Sequence, residues 1–409
     1  MDKALIVKAI KKAIAAGCTA PPAMSIFGAD TNFVRAQADV GGEPDVLKAF
    51  YADLGKDADM ASFASLFSAG PSGGVSIGIE QAGKLLLAQS IASGDIPETV
   101  AKFANHAAKN ETHALGVMAV NGVKVAKRVQ LGPVTLLPLV DVPPSSQRGM
   151  ALAQDNMGIG PRFALPSAFV IEYLHKPCYY RPKTPQPREE TQSQNANDAF
   201  TALDEARTLL SLLGIHPAVR MLWSQPVDWI EAGGMGSGWQ SAPSGDLHFD
   251  REIDADAAQA LAKDYFSIDP SIRSKVLRVP LDRLNKAFSE RDFTDRVIDL
   301  GIGLEALLLH NLGKDRGELS FRFSLHGAWL LGATGAERTE IHKMLRSMYQ
   351  LRSQAVHVGE IDFNQENSAV FGKSIELCQR LIRAMIERMC KVDWSQLVMG
   401  NHEPPTGGK

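Results

Sequence analysis

From about residue 250 onward, apolar residues recur every three or four positions, in stretches too long for strands. Segments 254–266, 272–288, 294–309, 320–331, 336–356 and 370–389 all carry this period. The third is the clearest, with Val297, Ile298, Ile302, Leu304, Leu307 and Leu308 apolar. A 3.6-residue period places one apolar stripe along a helix, and long helices with short connections cover such stripes by packing on one another. The pattern predicts an all-α bundle over residues 250–395.

Residues 1–245 read differently, as a mixed α+β region. Leu5, Ile6, Ile10 and Ile14 give a helix over 3–16. A second helix is expected over 45–54, with Asp45 as its N-cap and Gly55 past its end. Residues 69–74 read as a turn, and 79–92 and 98–109 as helices. Val117-Met118-Ala119-Val120 and Val123-Lys124-Val125 flank Asn121-Gly122, the strongest short hairpin signal. Strands are expected over 134–140 and 163–174, and an exposed proline-rich loop over 181–197. A helix over 200–213 closes at Gly214, and the glycine-rich run 233–245 marks the boundary between the two regions. The fold class is therefore multi-domain: 1–245 α+β, then 250–395 all-α.

Bulk properties exclude several classes. The net charge is −3, with 45% apolar and 22% charged residues, ordinary for a soluble globular chain. Residues 1–250 carry 21 Lys+Arg against 24 Asp+Glu, and 251–409 carry 22 against 22. Neither region is a general polyanion binder, so any contact with RNA must be local. Cys18, Cys178, Cys378 and Cys390 are scattered without a CxxC, which predicts neither a zinc site nor a disulfide framework and fits a reduced, cytoplasmic setting. No run reaches the length of a membrane span, and no membrane partner is expected.

The chemistry-bearing stretch is 348–359. Arg352 precedes His357 by five residues, and Gly359 predicts a helix end just beyond. A guanidinium grips phosphate bidentately and offsets charge in a pentavalent transition state. An imidazole exchanges protons near neutral pH. RNA carries its own nucleophile, the 2′-hydroxyl, so the pair suffices for cleavage without metal or cofactor. Five residues of ideal helix turn the two side chains about 140° apart, and a relaxed helix end would let the long arginine converge on the histidine. By spacing alone, a surface arginine and a helix-terminal histidine explain the motif better than a catalytic pair does.

Three ordered blocks add to the pair: Asp295-Arg296-Val297-Ile298-Asp299-Leu300-Gly301-Ile302-Gly303-Leu304-Glu305-Ala306-Leu307-Leu308, Glu318-Leu319-Ser320-Phe321-Arg322-Phe323, and Tyr349 through His357. With these blocks, residues 272–392 resemble the HEPN superfamily, in particular the Apea-like HEPN domains. The resemblance implies a helical bundle that pairs with a second HEPN domain, as a homodimer or larger assembly. Two Arg-x4-6-His motifs would then line one composite, metal-independent ribonuclease cleft. It maps Arg352 and His357 onto the catalytic pair and Ser353 onto the polar position after the arginine. Glu305 becomes either the group that orients Arg352 or a structural salt-bridge carboxylate. Family members include toxins and phage-defence effectors, which implies an RNA substrate and, by architecture, a phage or regulatory trigger acting at the N-terminal region. Gly359 stands where some HEPN toxins carry a modifiable tyrosine. A non-catalytic dimerisation scaffold and a regulatory nucleotide-binding protein are the alternative functions.

Other motifs carry less. Gly372-Lys373-Ser374 lacks the upstream glycine of a phosphate loop, and Gly158-Ile159-Gly160-Pro161 lacks the third glycine of a dinucleotide loop. His310, His326 and His342 are spaced too far apart for a helix-face metal pair. His106 and His113 could share a helix face but nothing completes a site, and Asp292, Asp295 and Asp299 read as a solvated acidic face at a helix start.

Overall fold

The computed structural model describes residues 1–19, 40–62, 66–70, 73–108, 112–143, 145–153, 166–175, 179–180, 190–227, 250–310 and 318–400. In chain order the elements of the N-terminal region are α1 (Lys3–Ala15), α2 (Pro44–Leu54), α3 (Ala58–Ser62), β1 (Leu66–Gly70), β2 (Gly73–Ile77), α4 (Ile79–Ser93), α5 (Ile96–Ala108), β3 (Thr112–Asn121), β4 (Val123–Lys124), β5 (Val129–Leu131), β6 (Val134–Pro138), α6 (Ser146–Ala153), β7 (Ser167–His175), β8 (Tyr179–Tyr180), α7 (Glu190–Leu209) and β9 (Ala218–Pro226). The remainder comprises β10 (Arg251–Glu252), α8 (Ala255–Ser267), α9 (Pro270–Val276), α10 (Arg278–Ser289), α11 (Phe293–Leu308), α12 (Leu319–Leu331), α13 (Gly335–Val358), α14 (Gln365–Glu387) and α15 (Trp394–Val398). Among the described residues, the N-terminal half thus mixes helices with antiparallel sheet, and the C-terminal half is helical apart from β10.

Helix α1 shows how local sequence sets the first layer. Asp2 caps it, accepting from the Ala4 and Leu5 amides at 3.0 and 3.1 Å. Ile6, Ala9, Ile10 and Ala13 then fall on one buried face. That face packs with Phe50, Leu54, Leu86, Leu87 and Phe103 into a core of its own. Residue 45 is already helical: Glu43 holds the N-cap position and Pro44 opens α2, so Asp45 acts on the first-turn dipole rather than as the cap.

The main sheet has the order β5-β6-β7-β3-β9 and is antiparallel throughout. Val117 lies opposite both Val170 and Trp223 across its neighbours. Both faces are covered. Met118, Val120, Leu136 and Phe169 point toward α7 and the helical bundle, while Val117, Ala119, Ala168, Val170 and Trp223 form a second apolar layer on the far side. Double burial explains why β3 reads as a continuous apolar run rather than as an alternation.

The Asn121-Gly122 signal marks a bend but not a hairpin. Gly122 has φ 86°, yet β4 does not return along β3, because both edges of β3 are occupied by β7 and β9. Instead β4 pairs in parallel with β10, and Asp250 Oδ1 accepts from the Gly122 amide at 2.8 Å. Within 69–74, the ends of the run belong to strands: β1 pairs with β2 and with β8. The strand expected over 134–140 ends at Pro138 and passes into a 3-10 turn, Leu139–Asp141. From Glu190 the expected loop is helix α7, and residues 181–189 lie outside the described residues. So do the glycine-rich run at 233–245 and Gly158–Pro161. His113 lies in β3, paired with Glu172 at 2.7 Å, and so shares no helix face with His106.

In the bundle, α11 is the central helix. Val297, Leu300, Leu304, Leu307 and Leu308 are fully buried, against Leu345, Met348 and Leu351 of α13 and Leu381, Ile382 and Met385 of α14. The helix expected over 272–288 is broken at Leu277 into α9 and α10, since Pro280 has no amide proton for a bond back to residue 276. Asp292 caps α11, accepting from the Asp295 amide at 3.1 Å. Asp299 is buried and paired with Arg283 at 2.5 Å, so this carboxylate is not part of a solvated face.

The bundle core does not stop at the sheet. Leu203, Ala206 and Leu209 of α7, the inner face of the sheet and the apolar stripes of α8 to α15 belong to one contiguous cluster. Polar stitches reinforce the join. Asn285 Nδ2 donates to Thr208 O and Ser211 Oγ at 3.1 and 3.2 Å, and Gln379 Nε2 donates to Ser211 O at 2.7 Å. No helix among the described residues is long and apolar enough to cross a membrane.

Candidate active site

Helix α13 carries Arg352, Ser353 and His357, and its two ends are fixed by separate devices. At the start, Thr334 and Glu337 form a reciprocal capping box, each side chain accepting from the other residue's amide at 3.2 Å. At the finish, Gly359 adopts φ 82° and its amide donates to Ala355 O at 3.0 Å. The chain beyond is held by the Ile361 amide, which donates to the buried Thr294 hydroxyl at the start of α11. Met348, Leu351 and Ala355 seat the helix on the core.

Arg352 projects across α11. Its Nη2 lies 3.3 Å from Glu305 Oε2, and both side chains are about three-quarters buried, with 26% and 24% exposure. The structure therefore brings together the two residues that the sequence linked only by resemblance. Burial pushes the Glu305 carboxyl above its ordinary range, and the Arg352 guanidinium pulls it partly back. Arg352 Nε is buried without a hydrogen-bond partner among the described residues.

The helices approach so closely here because residue 301 is glycine. A methyl group at 301 would overlap Arg352 Cγ and lie 2.9 Å from Arg352 Cβ. Gly301 and Glu305 are one helical turn apart, so the same face of α11 cradles the arginine stem and engages its head. Gly301 was not singled out from sequence. Its four-residue spacing from Glu305 was the available signal, but its meaning depends on what packs across it.

His357 is exposed in the last turn of α13 and makes no hydrogen bond or ion pair among the described residues. The helix stays regular through Val358, so the relaxed end that would bring His357 toward Arg352 is not formed. The two side chains leave the helix about 140° apart. Ser353 is half-buried and, four residues before His357, shares its face. Val356 and Val358, its neighbours in the last turn, are exposed, and so is Phe363 beyond the helix end, alongside the exposed Glu360 and Asp362.

The second block meets this arrangement from α12. Phe323 is buried and its ring lies 5.5 Å from that of Tyr349, the residue that opens the α13 block. All three blocks thus converge on one junction of α11, α12 and α13.

No protein-family model matches the chain, and no curated protein and no solved structure matches it.

The remaining histidines have other partners. His326 stacks on Trp394 at 4.5 Å, and His310 meets the same ring edge-on at 5.5 Å. Their Nδ1 atoms bond to Leu308 O and Leu307 O at 2.7 and 2.6 Å. Burial holds both imidazoles below their ordinary range. Among the described residues, no three His, Cys, Asp or Glu side chains come together as a metal site. Cys18, Cys378 and Cys390 are free thiols. Residues 372–374 lie inside α14, a helical setting unlike that of a phosphate loop.

Proposed function

We propose that this chain is a metal-independent endoribonuclease of HEPN type, acting through a composite site built from two copies. The observation that carries the proposal is the fixed guanidinium of Arg352, seated over Gly301 and held by Glu305, on the same helix as an exposed, unpaired His357. A phosphate-gripping group requires pre-organisation, and a proton-transfer group requires access.

In this mechanism His357 removes the proton of a 2′-hydroxyl, whose oxygen forms a bond to the adjacent phosphorus. The bond from phosphorus to the 5′-oxygen breaks, and that oxygen takes a proton from an imidazolium. The products are a 2′,3′-cyclic phosphate and a 5′-hydroxyl. Arg352 offsets the charge that builds on the phosphoryl oxygens. Ser353, on the same face as His357, contacts the substrate backbone. The 140° between Arg352 and His357 favours a site shared between chains, with the arginine of one copy and the histidine of the other at one phosphate. The exposed Val356, Val358 and Phe363 are the kind of surface such pairing would cover. An enzyme of this kind would act as a toxin or a defence effector, and the N-terminal region, sharing its core with the bundle, would hold it inactive until triggered.

The test uses total RNA in EDTA. The wild type cleaves it, and His357→Ala cleaves at least about 100-fold more slowly. Host toxicity is lost in Arg352→Ala, and light scattering gives a mass of at least a dimer. Equal behaviour of wild type and His357→Ala would remove the catalytic reading and leave a pairing or scaffold domain.

A further inference from the structure

One face of α13 is free of carboxylates. At 100° per residue, Lys343, Arg346, Gln350, Ser353, Gln354 and His357 fall within an arc of about 100° and run along roughly 21 Å of helix. All but Ser353 are exposed, and Ser353 is half-buried. Lys343 and Arg346 make no ion pair or hydrogen bond among the described residues. Exposed lysines elsewhere are of both kinds: Lys12 and Lys286 are paired with Asp53 and Asp282, while Lys3, Lys8 and Lys263 make no ion pair among the described residues, so this face is set apart by the alignment of its polar groups and the ring beside it. Glu340 lies outside the arc, and Glu337 is turned into the capping box.

An aromatic pair borders the Arg346 side of this face. Phe321, in the first turn of α12, is 52% exposed, and its ring lies 6.0 Å from that of His342. A large exposed ring with free cations beside it satisfies the two requirements of single-strand recognition, a stacking surface and phosphate neutralisation. The chain as a whole carries a charge of −3, so attraction of a polyanion has to be local.

We propose that this face of α13 is the track on which single-stranded RNA lies, with phosphates on Lys343 and Arg346, a base against Phe321, and the strand leading to Ser353 and His357. The proposal rests on the ribonuclease reading and adds the path and strandedness of its substrate. The amide and hydroxyl groups of Gln350, Ser353 and Gln354 donate to backbone oxygens without selecting a base. The track therefore predicts weak sequence preference and strong salt dependence.

The experiment measures binding of a fluorescent 12-nucleotide oligouridylate to the full-length His357→Ala protein between 50 and 200 mM salt. The double variant Lys343→Gln/Arg346→Gln, made in that background, binds at least about 10-fold more weakly. Its plot of log affinity against log salt is shallower by about 1.4, at about 0.7 per lost phosphate contact. Phe321→Ala weakens binding about 5- to 150-fold with the salt slope unchanged. If the wild type cleaves RNA but the double variant binds as tightly as its parent, the track is overturned and the ribonuclease stands. If the parent binds no RNA and the wild type cleaves none, both fall. A changed oligomer mass in the double variant would assign this face to chain pairing instead. Equal binding of polyglutamate, indifferent to Phe321→Ala, would assign it to an acidic protein partner.

Discussion

At Gly301 a hydrogen stands where any other residue would set a carbon against the Arg352 stem. Replacing it with methyl improves local helix propensity by about 0.8–1.0 kcal/mol but collides with Arg352 Cβ and Cγ. The arginine is the movable partner, so the cost appears as a displaced guanidinium. On the ribonuclease reading, Gly301→Ala loses about 100-fold in cleavage rate while its melting temperature stays near that of the wild type. A variant that melts early instead would make Gly301 a packing residue only. Arg352 and His357 were singled out as candidates by residue type and spacing, and Ser353 and Glu305 by the resemblance. Gly301 was not, since a glycine records only that no side chain is present.

At the scale of elements, the helices were legible from their apolar period and caps, and the errors cluster where tertiary competition decides. The segment after Asn121-Gly122 lost its expected partner because β3 is a central strand, a fact set by β7 and β9 far along the chain. The start of α7 is polar and gave no period to read. The junction of α11, α12 and α15 around Trp394 carries a pH prediction. His310 and His326 are held neutral by burial, so their folded values lie below the ordinary 6.5 that the unfolded chain retains. As pH falls below about 6.5 the unfolded state takes up protons that the native state does not, and stability is lost, by at most about 1.4 kcal/mol per pH unit for each histidine. Melting temperature should therefore hold steady above pH 7.5 and fall from 6.5 toward 5. His326→Phe, which keeps a ring against Trp394, should make that fall shallower. An unchanged slope in the variant would place the acid sensitivity elsewhere.

For the whole molecule, the change of character near residue 250 was legible, but the continuity of the core across it was not. The sequence shows where patterns change, whereas the sharing of Leu203, Ala206 and Leu209 with the bundle arises only once α7 is laid between sheet and helices. Residues 250–409 made alone would expose the surface that α7 and the sheet cover, and should aggregate or bind a hydrophobic dye. Co-expression with residues 1–227 should restore a soluble pair that elutes together, held by the common core, the Asn285 and Gln379 bonds and the pairing of β4 with β10. Failure of the two pieces to associate would mean that the covalent link is needed for the shared core to form. If they do associate, the join between sheet and bundle becomes an engineering handle. On the ribonuclease reading, either gene fragment alone would be inert, and activity would appear only in cells that make both, turning one protein into a coincidence detector.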